Sequence, residues 1–219
     1  MAVQTIESAR YLVQYIKSVE DLKLTFGKTK LSYNHIGALF TDIVLQAGLN
    51  YETVVKPRVN KVLIEYPQAT NLSSFKSIID THGLRNVINW KHETKIERFH
   101  TLIDFCVNRG INDCYDLKSF LKENDNRILF LSIKGLGPKT LDYTMKLLQF
   151  DTIAVDRHII GFIELAGLKH TSYDYTKKTV EFAADLLNIP RSTLDQTIWN
   201  YMSSRRGVSD SSSQLRMTF

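Results

Sequence analysis

The chain has 219 residues, 43% apolar and 23% charged, which suits one sizeable domain or two small ones sharing a core and excludes intrinsic disorder. Ten Gly and four Pro over that length argue against a turn-dense β-sandwich or a collagen-like repeat and leave room for long helices. Twenty-eight Lys+Arg against 23 Asp+Glu give a net charge of +5, which permits a polyanionic partner without demanding one.

Thr5–Leu22 reads as an amphipathic helix capped by Thr5, with Ile6, Ala9, Leu12, Val13 and Ile16 at helical spacing. A link through Gly27 follows. Ser32 then opens a helix whose apolar face is Ile36, Leu39, Phe40, Ile43 and Val44, ending near Gly48. Helical patterns continue over 51–65, Ser73–Thr81, His92–Asn108, Asp116–Glu123, Asn126–Ile133 and Pro138–Gln149, joined by short links carrying Gly, Asn or Asp. Ile153-Ala154-Val155 is apolar but too short to pair as a strand. Helices over Asp156–Ala166, Asp174–Leu187 and Ser192–Ser203 complete the pattern, and no run alternates as a strand does, so the expected class is all-α. The Ser-rich tail from Gly207 to Phe219 is expected to be mobile. Its Gln214 and Met217 faintly resemble a sliding-clamp peptide, although the aromatic spacing is one residue short and the aromatic pair is missing.

Cys106 and Cys114 are too few for a four-thiolate cluster, and no disulfide framework or signal peptide accompanies them. Reduced thiols and an intracellular setting, the cytoplasm or nucleoid of a prokaryote, are expected. Charges interrupt every apolar window before it reaches the roughly 18 residues that a membrane-spanning helix needs.

Leu131-Ser-Ile-Lys-Gly-Leu-Gly-Pro-Lys-Thr140 is the most informative stretch. Two helical patterns are separated by Gly135-Leu136-Gly137, with Pro138 preorganised for the first position of the second helix and Leu136 able to plug the gap. Backbone N–H groups at such a turn suit a phosphate, aided by the helix dipole and by Lys134 and Lys139. Sequence-independent DNA contact is the expected use, and a glycine-rich turn between two core helices is the bland alternative. Asp156, in Val155-Asp-Arg-His158, begins another helix and suits an N-cap. His158 has no metal-ligand spacing around it and is expected to be structural.

Gly-Leu-Gly-Pro-Lys-Thr, an intervening helix and Val-Asp-Arg-His together resemble the helix-hairpin-helix GPD superfamily of DNA base-excision glycosylases, which includes endonuclease III and 8-oxoguanine glycosylase. The resemblance covers about residues 30 to 205. It implies that Lys139 is the catalytic lysine and Asp156 the catalytic aspartate. Gly135, Leu136 and Gly137, with Lys134 and Arg157, are then DNA-binding. Val44-Leu-Gln-Ala47 is similar to the segment that supplies the inserting glutamine, here Gln46, and Thr81-His-Gly-Leu84 to the wedge loop, here Leu84. Leu194-Asp-Gln-Thr-Ile-Trp199 is similar to the closing helix. The family's proline before the first hairpin glycine is Lys134 here, and its four-cysteine iron–sulfur loop is missing, so no metal or other cofactor is implied.

The implied activity is excision of a damaged base with AP lyase action. An uncharged Lys139 attacks C1′ and forms a Schiff base, and β-elimination then nicks the strand. Asp156 stabilises the cationic sugar and moves a proton. The alternatives are a monofunctional glycosylase in which Asp156 activates water, and a noncatalytic DNA-binding module. The implied partner is double-stranded DNA holding a damaged or mismatched base, bound by a monomer away from membranes. The implied architecture is a helical domain over 31–151 and a second built from 1–30 and 152–206, with DNA across the cleft between them. Trp90, Phe99, Tyr143 and Trp199 are expected to be mainly core residues. Lys134, Lys139, Lys146, Arg157, Arg205 and Arg206 are candidates for a phosphate-facing surface.

Overall fold

A computed structural model describes residues 2–24 and 33–214, with side chains from 3 to 24 and from 33 to 205. The protein is all-α: among the described residues there are twelve α-helices and one π-helical turn, and the sole β-type pairing is an isolated bridge between Asn71 and Asp113. The chain divides into two compact units, one of residues 30–150 and one of residues 1–29 with 151–219.

The 30–150 unit is built around α2 (Ile36–Leu45). Its ten residues are nearly all apolar and every one is buried, as a helix without a polar face must be. Gly37 lets α4 (Leu72–His82) close in, because a Cβ there would stand 2.9 Å from the Phe75 ring. The cap of α2 is His35, whose Nδ1 accepts the Ala38 N–H at 3.0 Å while Nε2 bonds the Tyr66 carbonyl at 2.9 Å. Ser32, the predicted opening residue, lies outside the described residues, as does Gly27.

The predicted 51–65 helix opens instead as a π-helical turn (Tyr51–Val55) before α3 (Lys56–Glu65). Pro57 explains the register change: it has no N–H to donate, and Lys56 reaches back to the Tyr51 carbonyl. A short α5 (Leu84–Val87), missed in the sequence, follows Gly83, whose φ of 75° ends α4. Then come α6 (Glu93–Val107), α7 (Cys114–Phe120), α8 (Asn124–Leu131) and α9 (Pro138–Leu147). Phe99 sits between Phe40 and Phe75, with ring centroids 6.3 and 6.0 Å away, and Phe105 stacks edge-on against Phe120 and Phe130.

One carboxylate lies inside this core. Asp42 is fully buried and accepts hydrogen bonds from Tyr33 Oη at 2.9 Å and Tyr143 Oη at 2.7 Å, with Tyr51 bonded to it as well. A buried charge persists only when its lone pairs are satisfied, and three phenols do that here.

In the other unit α1 (Ala2–Ser18) packs on α11 (Tyr173–Leu186), and α10 (Arg157–Leu165) packs on α12 (Arg191–Gln214). Leu12, Ile159, Phe162, Val180, Leu194 and Ile198 form its core. Ile153-Ala154-Val155 is buried without forming a strand; the Ala154 N–H donates to Asp195 Oδ2 at 3.1 Å and the Val155 N–H to Tyr173 Oη at 3.3 Å. Helix α12 runs past the predicted end at Ser203, through Gly207 to Gln214. Extending a helix that is already packed adds one bond for each residue ordered. The faint clamp-like peptide runs from Gln214 beyond the described residues.

Candidate nucleic-acid and catalytic site

The link between α8 and α9 spans residues 132–137. The Ser132 hydroxyl donates to the Leu129 carbonyl at 2.6 Å, the Leu136 N–H donates to Ile133 at 3.0 Å, and the Gly137 carbonyl accepts from Thr140 and Leu141. Leu136 is 3% exposed and plugs the space between the helices. Gly135 has φ +86°, a conformation that favours glycine, and a Cβ there would meet the Arg98 guanidinium. Gly137 is different: its φ of −96° is open to any residue and a Cβ would touch nothing within 4 Å. The backbone freedom of glycine is therefore required only at Gly135.

Among the described residues, the N–H groups of Gly135, Gly137 and Lys139 have no acceptor. They lie at the N-terminal end of α9, where the helix dipole is positive. Lys139 is partly buried in the first turn of α9 and forms no ion pair or hydrogen bond with a described residue; Lys134 is exposed and likewise unpaired. Lys146 has a partner elsewhere.

Gln46 forms the C-cap of α2, and its Nε2 donates a long 3.5 Å bond to Thr140 Oγ1, beside Lys139 in sequence. The structure thus brings the predicted inserting glutamine to the first turn of α9. Leu84 is placed otherwise: at 4% exposure it belongs to the core with Val87, so the wedge reading is corrected, and Gly83 and Arg85 are what this turn presents to solvent. Phe99 and Tyr143 are core residues, and Trp90 packs on the core under the Arg58 guanidinium.

Two residues of this region were not singled out in the sequence. Lys95 Nζ donates to the carbonyls of Val44 (2.7 Å) and Ala47 (2.8 Å), and burial, helped by the neighbouring Arg98 charge, pushes it down to about 8. Arg98 has its Nε buried without a partner. An i, i+3 pair of cations on an amphipathic helix looks like a solvated face in sequence, which is why it carried no signal.

Asp156 lies in the other unit and caps α10. Its Oδ1 accepts from the N–H groups of His158 (2.8 Å) and Ile159 (3.1 Å), and its Oδ2 accepts from His158 Nδ1 at 3.0 Å. Burial pushes this carboxyl up, but the His158 ring and the two amides outweigh it, so it is held below the ordinary carboxylate value. The side chain remains 21% exposed, an ionised group that a ligand can reach. His158 is buried, with Trp199 edge-on at 5.7 Å, so its role is to orient the carboxylate. Trp199 itself is 36% exposed, more than a core residue. Arg157 is exposed, Arg205 bonds the Tyr201 hydroxyl at 2.5 Å, and the Arg206 side chain is outside the described residues.

Among the described residues no His/Cys/Asp/Glu group has the arrangement to hold a metal ion, and no helix is long and apolar enough to cross a membrane. Both cysteines are buried free thiols whose burial pushes them up to about 12. No family model, curated protein or solved structure matches the chain.

Proposed function

We propose that the protein is a base-excision DNA glycosylase with AP lyase activity, acting on duplex DNA that holds a damaged or mismatched base. On this reading α8, the 132–137 link and α9 form a helix-hairpin-helix that grips a phosphate through the unpaired amides, and Lys139 is the nucleophile. The amine attacks C1′ of an everted nucleotide and the base departs with the electron pair of the glycosidic bond and a proton. The nitrogen lone pair then opens the ring: the C1′–O4′ bond breaks, O4′ takes a proton, and the protonated Schiff base so formed loses a C2′ proton and expels the 3′ phosphate. The Asp156 carboxylate opposes the positive charge that develops on the sugar and carries the proton.

The observation that carries the reading is Lys139 itself. It is a partly buried lysine without a partner, at the helix end where a cation is least welcome. Such a residue is a poor choice for stability, and conflicts of this kind mark functional sites. Asp156 supports it as a solvent-accessible carboxylate kept ionised by three hydrogen bonds.

Borohydride trapping on a panel of duplexes, each with one lesion, tests the proposal. A covalent protein–DNA adduct is expected with the native protein and none with Lys139→Gln, while Asp156→Asn still binds the duplex with turnover reduced by orders of magnitude. Base release that persists in Lys139→Gln would replace this reading with the monofunctional one.

A further inference from the structure

We propose that Lys95 is a positioning residue that fixes Gln46 for insertion into the space an everted base leaves behind. The inference rests on the glycosylase reading above and extends it to a residue outside the hairpin.

A helix C-terminus leaves its last carbonyls without intrahelical partners, and these must find donors elsewhere. At the end of α2 the Val44 carbonyl in its last turn and the Ala47 carbonyl just beyond its cap converge on one ammonium group, Lys95 Nζ, at 2.7 and 2.8 Å. Gln46 stands between them in sequence. Its backbone N–H continues the helix to the Asp42 carbonyl, so its main chain is bounded by α2 on one side and by the Lys95 clamp on both. Its side chain is thereby directed at Thr140 in the first turn of α9.

A side chain that fills a gap in a base stack must already be aimed, because ordering it during binding subtracts from affinity. The 3.5 Å bond to Thr140 is too long to hold Gln46 alone. The clamp on the flanking carbonyls is the stronger restraint, since it is charge-assisted and partly shielded from water. Lys95 has no acidic partner to explain its burial; its electrostatic neighbour is Arg98. The carbonyls on either side of Gln46 are what it is there to hold.

The test measures binding to a duplex with a stable abasic-site analogue, together with amide hydrogen exchange of the free protein over residues 44–49. Lys95→Met is expected to speed exchange there and to weaken binding about tenfold, with Lys95→Arg, which keeps two donors, restoring both. Gln46→Ala is expected to weaken binding similarly, and the Lys95→Met/Gln46→Ala double variant to lose little more than either alone. Additive losses, or binding unchanged in Lys95→Met, overturn the inference while leaving the glycosylase reading intact. A native protein that binds no DNA removes both, and the exchange data show whether the clamp itself exists.

Discussion

Arg98 lies directly against Gly135, with its guanidinium carbon 2.6 Å from where a Cβ at that glycine would stand. The contact couples α6 to the link between α8 and α9, so a Cβ at this position both meets an unfavourable positive φ and pushes the Arg98 guanidinium aside. Gly135→Ala is therefore expected to destabilise the protein by more than the roughly 1–2 kcal/mol of a left-handed alanine alone. In an Arg98→Ala background the penalty should shrink to that backbone cost, read as a double-mutant cycle in denaturant unfolding. Gly137→Ala, with open space at its Cβ, should leave stability nearly unchanged and lower DNA affinity instead.

Lys139→Gln should separate activity from stability. The variant removes an unpaired cation from the positive end of α9, so unfolding free energy is expected to stay level or rise by about 0.3–1 kcal/mol. Activity should vanish. A large loss of stability in chemical denaturation would mean that Lys139 is held by the fold for structural reasons.

The Asp42 cluster predicts an alkaline limit. Burial and the Asp42 charge push the phenols of Tyr33, Tyr51 and Tyr143 well above the ordinary value of 10.0. Groups whose folded-state pKa is raised stabilise the fold fully below the unfolded value and lose that contribution as pH climbs beyond it. Ultraviolet titration of the ten tyrosines should show three ionising only as the protein unfolds above about pH 10. Tyr143→Phe should cost about 1.5–3 kcal/mol, as expected for a hydrogen bond to a buried charge.

Asp156 predicts the opposite limb. Its carboxyl is held below the ordinary 3.8, so its contribution to stability is present above that value and is lost as pH falls further. Melting temperatures between pH 5 and pH 2.5 should drop less steeply for Asp156→Asn than for the native protein, because asparagine still caps α10 but does not titrate. Turnover should show no acid limb from this group at neutral pH.

Most of the fold was legible because apolar residues recur at helical spacing, and Asp156, expected as a cap, accepts the amide bonds at the start of α10. Thr5, also expected as a cap, instead lies inside α1, and α7 and α11 begin one to two residues before the expected Asp116 and Asp174, behind the caps Asp113 and Ser172. What escaped depends on the third dimension. His35 caps α2 because its ring also reaches Tyr66, 31 residues away, which no local pattern encodes. Leu84 sits in a wedge-like sequence, yet the turn formed by α5 aims it inward with Val87. Asp42 did leave a trace, as a charged residue in an apolar run, but its three phenol partners come from positions 33, 51 and 143. The glycine turn between α8 and α9 and, in the other unit, the Asp156 cap were readable from short-range spacing. Lys95 and Arg98 were not, since their partners lie about 50 and 37 residues away in the chain.

Helix α1 packs on α11, with the Ser8 hydroxyl bonded to Tyr175 at 2.7 Å, so that unit is stitched from stretches far apart in the chain. During synthesis the oily stripe of Ala9, Leu12 and Ile16 must therefore wait on the order of ten seconds for its companion to leave the ribosome. The 30–150 unit, contiguous and nested within that interval, is free to condense first. The early helix thus keeps its apolar stripe exposed to water until α11 has been made.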